Sequence, residues 1–363
     1  MAVTDVRIEK LVRLMRENEF DGALISPGTN LYHLTGLHIH ESGERITLLV
    51  VNSDGEYQLL APSLYENTIR DFPVTFWRDG ENPYEKLAWI LGELELSSGR
   101  ILVENTMRSD WLINVIKLGN GNFEFYHLNL LMRMLRMRKD PAEIRLMERA
   151  AKVADRVFEE ILNLEFIGMR ERDLALKIEL LIRELSNGLS FEPIVASGEN
   201  GANPHHLPGS RRLRKGDFVI IDYGAKVEGY CSDITRTIAL GRPNEKLLEI
   251  YEIVKDAQER AYRAVREGAL ARDVDGAARE TIEKAGYGGY FTHRTGHGLG
   301  LDVHEEPFIG PDGEVTLREG MTFTIEPGVY VPGLGGVRIE DDVVVKEGRG
   351  KRLTKADREL VVL

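Results

Sequence analysis

Two stretches of this 363-residue chain repeat one pattern, and in each copy an apolar run closes on a carboxylate. Leu213-Arg214-Lys215-Gly216 leads to Ile221-Asp222-Tyr223-Gly224, and Leu317-Arg318-Glu319-Gly320 leads to Ile325-Glu326-Pro327-Gly328, the acid nine positions after the leucine both times. So many aligned positions point to an internal duplication. A carboxylate at the end of an apolar strand is costly unless a cation meets it. In the first copy Phe218–Ile221 reads as a buried strand, residues 226–229 as a turn and 230–237 as the return strand. A turn centred between Val227 and Glu228 places Asp222 opposite Asp233, with Cβ atoms about 5 Å apart and like charges in need of a counter-ion. In the second copy Thr322–Ile325, a turn centred on Gly333 and the return Val337–Glu340 place Glu326 opposite Glu340. One such acid is ordinarily a turn residue, and one facing pair can share a proton. Preservation of the arrangement in both copies points instead to four carboxylates converging on metal.

Three of the nine histidines, His293, His297 and His304, fall in one segment with glycines at 296, 298 and 300. Those glycines disfavour a helix, so the four-residue spacing is not that of a helical HExxH zinc site. Close backbone approach is their expected use. A neutral imidazole beside carboxylates suits Mn(II), Co(II), Fe(II) or Zn(II) better than calcium.

The ordered set Asp222, Asp233, His297, Glu326 and Glu340, with HGLGLDVHEEP from His297 and EPGVY and GVRIEDD around the last acids, resembles the pita-bread metallopeptidase family of methionine aminopeptidase, aminopeptidase P and prolidase. The likeness runs from about Arg138 to the end of the chain. The N-terminal third resembles the creatinase-type domain of the proline-specific members, and Asn200–His206 adds to that likeness. The resemblance implies an α+β pita-bread catalytic domain with an internal pseudo-twofold repeat, preceded by a smaller α/β domain. It implies hydrolysis of the Xaa-Pro bond of small peptides, with dipeptidase (prolidase) activity ahead of aminopeptidase P. A creatinase-like or ectoine-hydrolase-like C–N hydrolase and a non-catalytic binding module are the alternatives, and the intact set of five counts against both.

It further implies two divalent metal ions per subunit, manganese or cobalt ahead of zinc or iron. Asp222 would hold one, Asp233 and Glu340 would bridge, and His297 and Glu326 would complete the other, with hydroxide between them as nucleophile. Glu326 would also carry a proton towards the leaving nitrogen. His205 and His304 match histidines that steady the substrate carbonyl, His205 being favoured over His206 by its spacing to Asp222. His293 and Arg338 match positions that touch substrate or orient the ligands. Phe191, Ile194, Phe291 and Phe308 are candidates for a wall against the proline ring. Phe308 stands where similar dipeptidases carry a basic residue, which leaves Arg294 or Arg338 to grip a terminal carboxylate. A homodimer is implied, with the His38-Ile39-His40 loop a candidate contact to a neighbouring subunit's site.

The elements that must position these groups fall into two expected domains, residues 1–131 and 132–363. The first reads as a helix over 5–18, a strand over 22–25, a hairpin of 46–51 and 57–61 around the Asn52–Gly55 turn, and a strand at 101–103 followed by a helix. In the second, Asp140-Pro141 opens a helix to about Leu164, and helices near 170–187 and 244–267 alternate with the acidic hairpins. A net charge of −12 argues against nucleic acid as a partner, and the one cysteine, Cys231, excludes an intramolecular disulfide. No apolar run reaches membrane length, and the amphipathic start lacks a cationic-then-apolar leader, so a cytoplasmic enzyme is expected.

Overall fold

The computed structural model describes residues 3–39 and 43–363, so His40 of the expected His38-Ile39-His40 contact lies outside the described residues. The chain divides into two compact units, Met1–Arg136 and Met137–Leu363.

In the first unit Gly22–Ile25 lies inside a six-stranded sheet, antiparallel to Leu48–Asn52 and parallel to Gly99–Val103. Strand alternation sorts its apolar side chains to two faces. Leu49 and Val51 join Leu11, Met15, Leu31 and Leu34 in one core, while Leu48 and Val50 join Leu87, Ile90, Trp111 and Val115 in the other. Both faces are therefore covered by helices. The expected hairpin turn forms because Asn52 Oδ1 accepts the backbone N–H groups of Asp54 and Glu56, at 3.1 and 2.8 Å. The break expected after residue 131 falls inside the helix Asn129–Arg136. Leu131 and Met132 pack in the first core, and Arg136 donates to Thr29 Oγ1 and Asn30 Oδ1, which holds the whole helix in this unit.

The second unit is built from two antiparallel hairpins, each backed by two helices. Val219, Ile221 and Tyr223 of the first hairpin pack on the helices Pro141–Ile161 and Glu171–Leu185. Phe323, Ile325, Val343 and Val345 of the second pack on Glu245–Ala264 and Ala271–Lys284. With odd-numbered positions turned to the helices, the even-numbered Asp222, Glu326 and Glu340 turn to the opposite faces. The first helix begins at Pro141 because Asp140 Oδ1 accepts from Ala142 N and Glu143 N while Glu143 Oε2 accepts from Asp140 N. It ends at Ile161, earlier than expected.

The first hairpin corrects the expected register. Thr235, not Asp233, lies opposite Asp222, and Lys226 lies opposite Cys231. The turn is centred one residue later than expected, on Glu228 and Gly229, at φ 48° and 86°. A two-residue type I′ turn needs positive φ at both central positions, which glycine supplies and the β-branched Val227 resists. The slip leaves Asp233 two positions from Thr235, so Asp222 and Asp233 still share a face. The second hairpin keeps one register throughout, Ile325 opposite Asp341 and Gly328 opposite Arg338, which brackets Glu326 and Glu340 as expected.

Gly229→Ala is expected to lower the unfolding free energy by about 1–2 kcal/mol, and Gly229→Asn by less, since asparagine tolerates the left-handed region. Urea denaturation of the three proteins checks this, and identical midpoints would contradict the turn assignment.

Candidate metal centre

Asp222 is the penultimate residue of the strand Phe218–Tyr223, Asp233 directly precedes Ile234–Ala239, and His297 is the middle residue of the short strand Gly296–Gly298. Glu326 and Glu340 occupy the two breaks of the second hairpin, between Ile325 and Gly328 and between Arg338 and Asp341. Asp222, Asp233, His297 and Glu340 are buried, and the Glu326 side chain keeps 16% of its surface exposed.

Asp233, His297 and Glu340 form the tightest group, with one potential ligand atom from each lying within 4.8 Å of the others. Glu326 Oε1 lies 3.2 Å from His297 Nε2, and Asp233 Oδ2 lies 3.8 Å from it. His297 Nδ1 is 3.1 Å from the Gly298 carbonyl, which can only accept. Nδ1 therefore carries a proton, and Nε2 faces the carboxylates, where it can donate to them or, without its proton, offer its lone pair to a cation. Thr324 Oγ1 accepts from His297 N and donates to Glu326 Oε1, both at 3.2 Å. The glycines serve close approach, as the sequence indicates: a Cβ on Gly296 would overlap the Thr324 carbonyl, and one on Gly298 the Glu306 carbonyl.

Arg338 organises the other side. Its Nη2 meets Asp222 Oδ2 at 2.5 Å, and its Nε donates to Thr235 Oγ1 at 3.1 Å, which in turn donates to Glu340 Oε2 at 2.6 Å. Nη1 donates to the Tyr330 hydroxyl at 3.0 Å. His293 Nδ1 faces the Arg294 carbonyl at 2.7 Å, so its Nε2 accepts the Tyr330 proton at 2.8 Å. Thr235 and Tyr330 were not singled out from the sequence. Thr235 was recoverable in principle, since in the true register it sits across from Asp222.

Burial pushes the Asp233 and Glu340 carboxyls well above the usual range, and repulsion from the neighbouring acids adds to it. Asp222 is raised by burial despite Arg338. At Glu326 burial is outweighed, while the His297 ring carries a proton on Nε2, by the hydrogen bond from that ring and by attraction to it and to Arg338, which hold the carboxyl at about 2. Asp222 Oδ1 and Asp233 Oδ1 are buried with no hydrogen-bond partner among the described residues. Two unpartnered carboxylate oxygens, an imidazole lone pair and an excess of buried acid are a donor set that fits divalent cations.

His304 is exposed and stands edge-on to His297, ring centroids 4.2 Å apart. His205 is exposed and close enough to His293 and His304 to interact electrostatically with both. His206 is engaged elsewhere, its Nε2 on Glu171 Oε2 at 2.8 Å. Phe308 lies across the ladder from His297, and the exposed Arg294 stacks its guanidinium 4.1 Å above the Phe308 ring. Ile194 lies opposite Asp222 and, like Phe191, is half-buried. Phe291 is a correction: it packs in the helix-backed core with Val274 and Ala278, not on a substrate wall.

Residues 145–347 match the model of metallopeptidase family M24, and residues 7–138 that of the creatinase/prolidase N-terminal domain. The chain belongs to metallopeptidase family M24. It is a peptidase with the pita-bread fold behind a creatinase-type domain. It is 40% identical to a Xaa-Pro dipeptidase of Pyrococcus furiosus over 98% of this chain and 99% of that one. Among solved structures, a dipeptidase from Pyrococcus horikoshii is 68% identical, with a TM-score of 0.97 over 98% of this chain and 100% of that one. A prolidase from Thermococcus sibiricus is 45% identical, with a TM-score of 0.95 over 98% of each chain.

Adding Mn(II) to chelator-treated protein is expected to raise its thermal midpoint, because a cation relieves repulsion among buried acids and binds only the folded state. Asp233→Ala should abolish that shift and the metal content read by elemental analysis. A variant retaining both would remove Asp233 from the centre.

Proposed function

We propose that this M24 peptidase hydrolyses Xaa-Pro dipeptides, using two divalent metal ions per subunit, manganese or cobalt, held by Asp222, Asp233, His297, Glu326 and Glu340. Such ions supply Lewis-acid activation of water and charge stabilisation at the scissile carbonyl. The chain's own groups do the rest. Glu326, held ionised, accepts a proton at its carboxylate and passes it towards the leaving nitrogen. His205 and His304, exposed beside the buried acids, donate to the oxygen on which charge develops. Arg338 and Thr235 hold Asp222 and Glu340 in place, and Tyr330 fixes His293.

The observation that carries the dipeptide reading is Arg294 over Phe308, across the strand from His297. Of the two arginines open to the role, Arg338 is buried and committed to Asp222, Thr235 and Tyr330. Arg294 is exposed and makes no ion pair among the described residues, so it can meet a terminal carboxylate while Phe308 offers an apolar face to the proline ring. The names carried by the Pyrococcus furiosus and Thermococcus sibiricus relatives support the same substrate. We further propose a cytoplasmic homodimer with the chemistry in the second unit, a reading that the family likeness supports. No helix among the described residues is long and apolar enough to cross a membrane.

Xaa-Pro dipeptides should show higher kcat/KM than Xaa-Pro tripeptides, and amidating the dipeptide carboxylate should lower it roughly tenfold or more. Arg294→Ala should erase the difference between free and amidated dipeptides. Equal rates on both with the parent enzyme, and preference for tripeptides, would move the assignment to aminopeptidase P.

A further inference from the structure

Glu171, the first residue of the helix Glu171–Leu185, has no part in the metal centre and is fully buried. Its carboxylate receives five hydrogen bonds, all from residues 197–209. Oε1 accepts from Ser197 N at 2.9 Å, Ser197 Oγ at 2.7 Å and Asn200 Nδ2 at 2.9 Å. Oε2 accepts from His206 Nε2 at 2.8 Å and Gly209 N at 3.1 Å. The backbone joins in, Glu171 N donating to Arg211 O and Arg172 N to Gly209 O. These bonds outweigh burial, which alone would raise the carboxyl, and hold it below its usual range.

The segment so gripped contains a turn over Asn203–His206, closed by His206 N to Asn203 O at 3.2 Å. Pro204 takes the position where proline is favoured, and Asn203 Oδ1 accepts from His205 N at 3.1 Å. His205 thus sits at the tip. On one side the Pro204 carbonyl accepts from Arg338 Nη1 at 3.5 Å, and on the other the His206 ring is tied to Glu171. The two residues flanking His205 are bound to two buried charges of opposite sign, one of them the guanidinium that also holds Asp222.

We propose that Glu171 is a positioning residue for the hydrolysis: by binding Ser197, Asn200, His206 and Gly209 it fixes the 197–209 loop so that His205 is presented to the metal centre. This rests on the reading of His205 as a donor to the substrate carbonyl. The carboxylate is required because each oxygen takes one backbone N–H, from Ser197 or from Gly209, whose donor role cannot change. A glutamine amide would turn its own N–H groups against one of them.

The test compares the metal-loaded parent, Glu171→Gln, His205→Ala and the double variant on a Xaa-Pro dipeptide, with metal content and thermal midpoint measured for each. Glu171→Gln should lose roughly tenfold to a hundredfold in kcat, the cost of a small misplacement, with KM and metal content near the parent's. The double variant should be no slower than His205→Ala, since both changes remove one function. His206→Ala, which cuts a single tie, should lower kcat in the same non-additive way and serves if Glu171→Gln folds poorly. Parental kcat in Glu171→Gln beside an impaired His205→Ala, or losses that multiply in the double variant, would overturn the role of Glu171 alone. Parental kcat in His205→Ala would overturn the reading of His205 and this proposal with it.

Discussion

Four carboxylates held together away from water repel one another, and much of the second unit answers that repulsion. Removing charges from water costs several kcal/mol per ion unless partners replace the lost hydration. Arg338 is the internal cation, and it reaches two acids: Asp222 directly and Glu340 through Thr235. Strand alternation keeps the next acid out of the same pocket. Glu340 faces the centre, while Asp341 faces the other way, onto Arg236 at 2.7 Å, Arg352 at 3.2 Å, Arg358 at 3.3 Å and Gln258 at 2.9 Å. Asp342 turns back again, and its Oδ2 accepts from Asp233 N at 3.0 Å. Three consecutive acids thereby serve three separate purposes, although Asp341 still raises the Asp342 carboxyl and Asp342 that of Asp233.

The duplication explains how such a centre can be held at all. Each half supplies a helix pair, and each helix pair fixes one face of a hairpin by apolar packing, so the acids on the opposite face hang from rigid backbone. Loop-borne carboxylates could move apart to relieve their repulsion. A carboxylate in a strand, like Asp222, or in a two-residue break between strands, like Asp233, Glu326 and Glu340, cannot, and the strain of proximity persists until a cation relieves it.

The parts legible in the sequence are those fixed by local periodicity. Alternation and glycine-marked turns gave the strands, the face on which each acid lies and the register around Gly333. The first hairpin slipped because choosing between Val227-Glu228 and Glu228-Gly229 requires weighing left-handed backbone, and the alternation survives either choice. The helix Ala271–Lys284 escaped notice because its buried stripe has only Val274 and Ile282 as larger apolar members, beside Ala271, Ala278 and the acidic Asp275, a weak apolar signal. Tyr330, Thr235 and Glu171 escaped for another reason. Their roles come from segments distant in sequence, Thr235 meeting Arg338 across 103 positions and Glu171 meeting His206 across 35. No spacing rule announces a partner that far away.

A division of labour follows from exposure. The five ligand candidates are buried or nearly so, whereas His205 and His304 are exposed, as groups that must meet a substrate have to be. Exposed loop residues are ordinarily the mobile ones, yet both loops are tied to buried charge. Glu171 grips the loop of His205, and Lys139 Nζ meets Glu305 Oε1 at 2.6 Å beside His304, both side chains almost fully buried. A side chain on Gly300 would collide with that pair. Buried ionic contacts add little stability over the apolar packing that could replace them. Their value here lies in direction: a carboxylate with five fixed donors, or an ammonium against one carboxylate oxygen, admits few loop conformations, and a histidine beside it inherits that restriction.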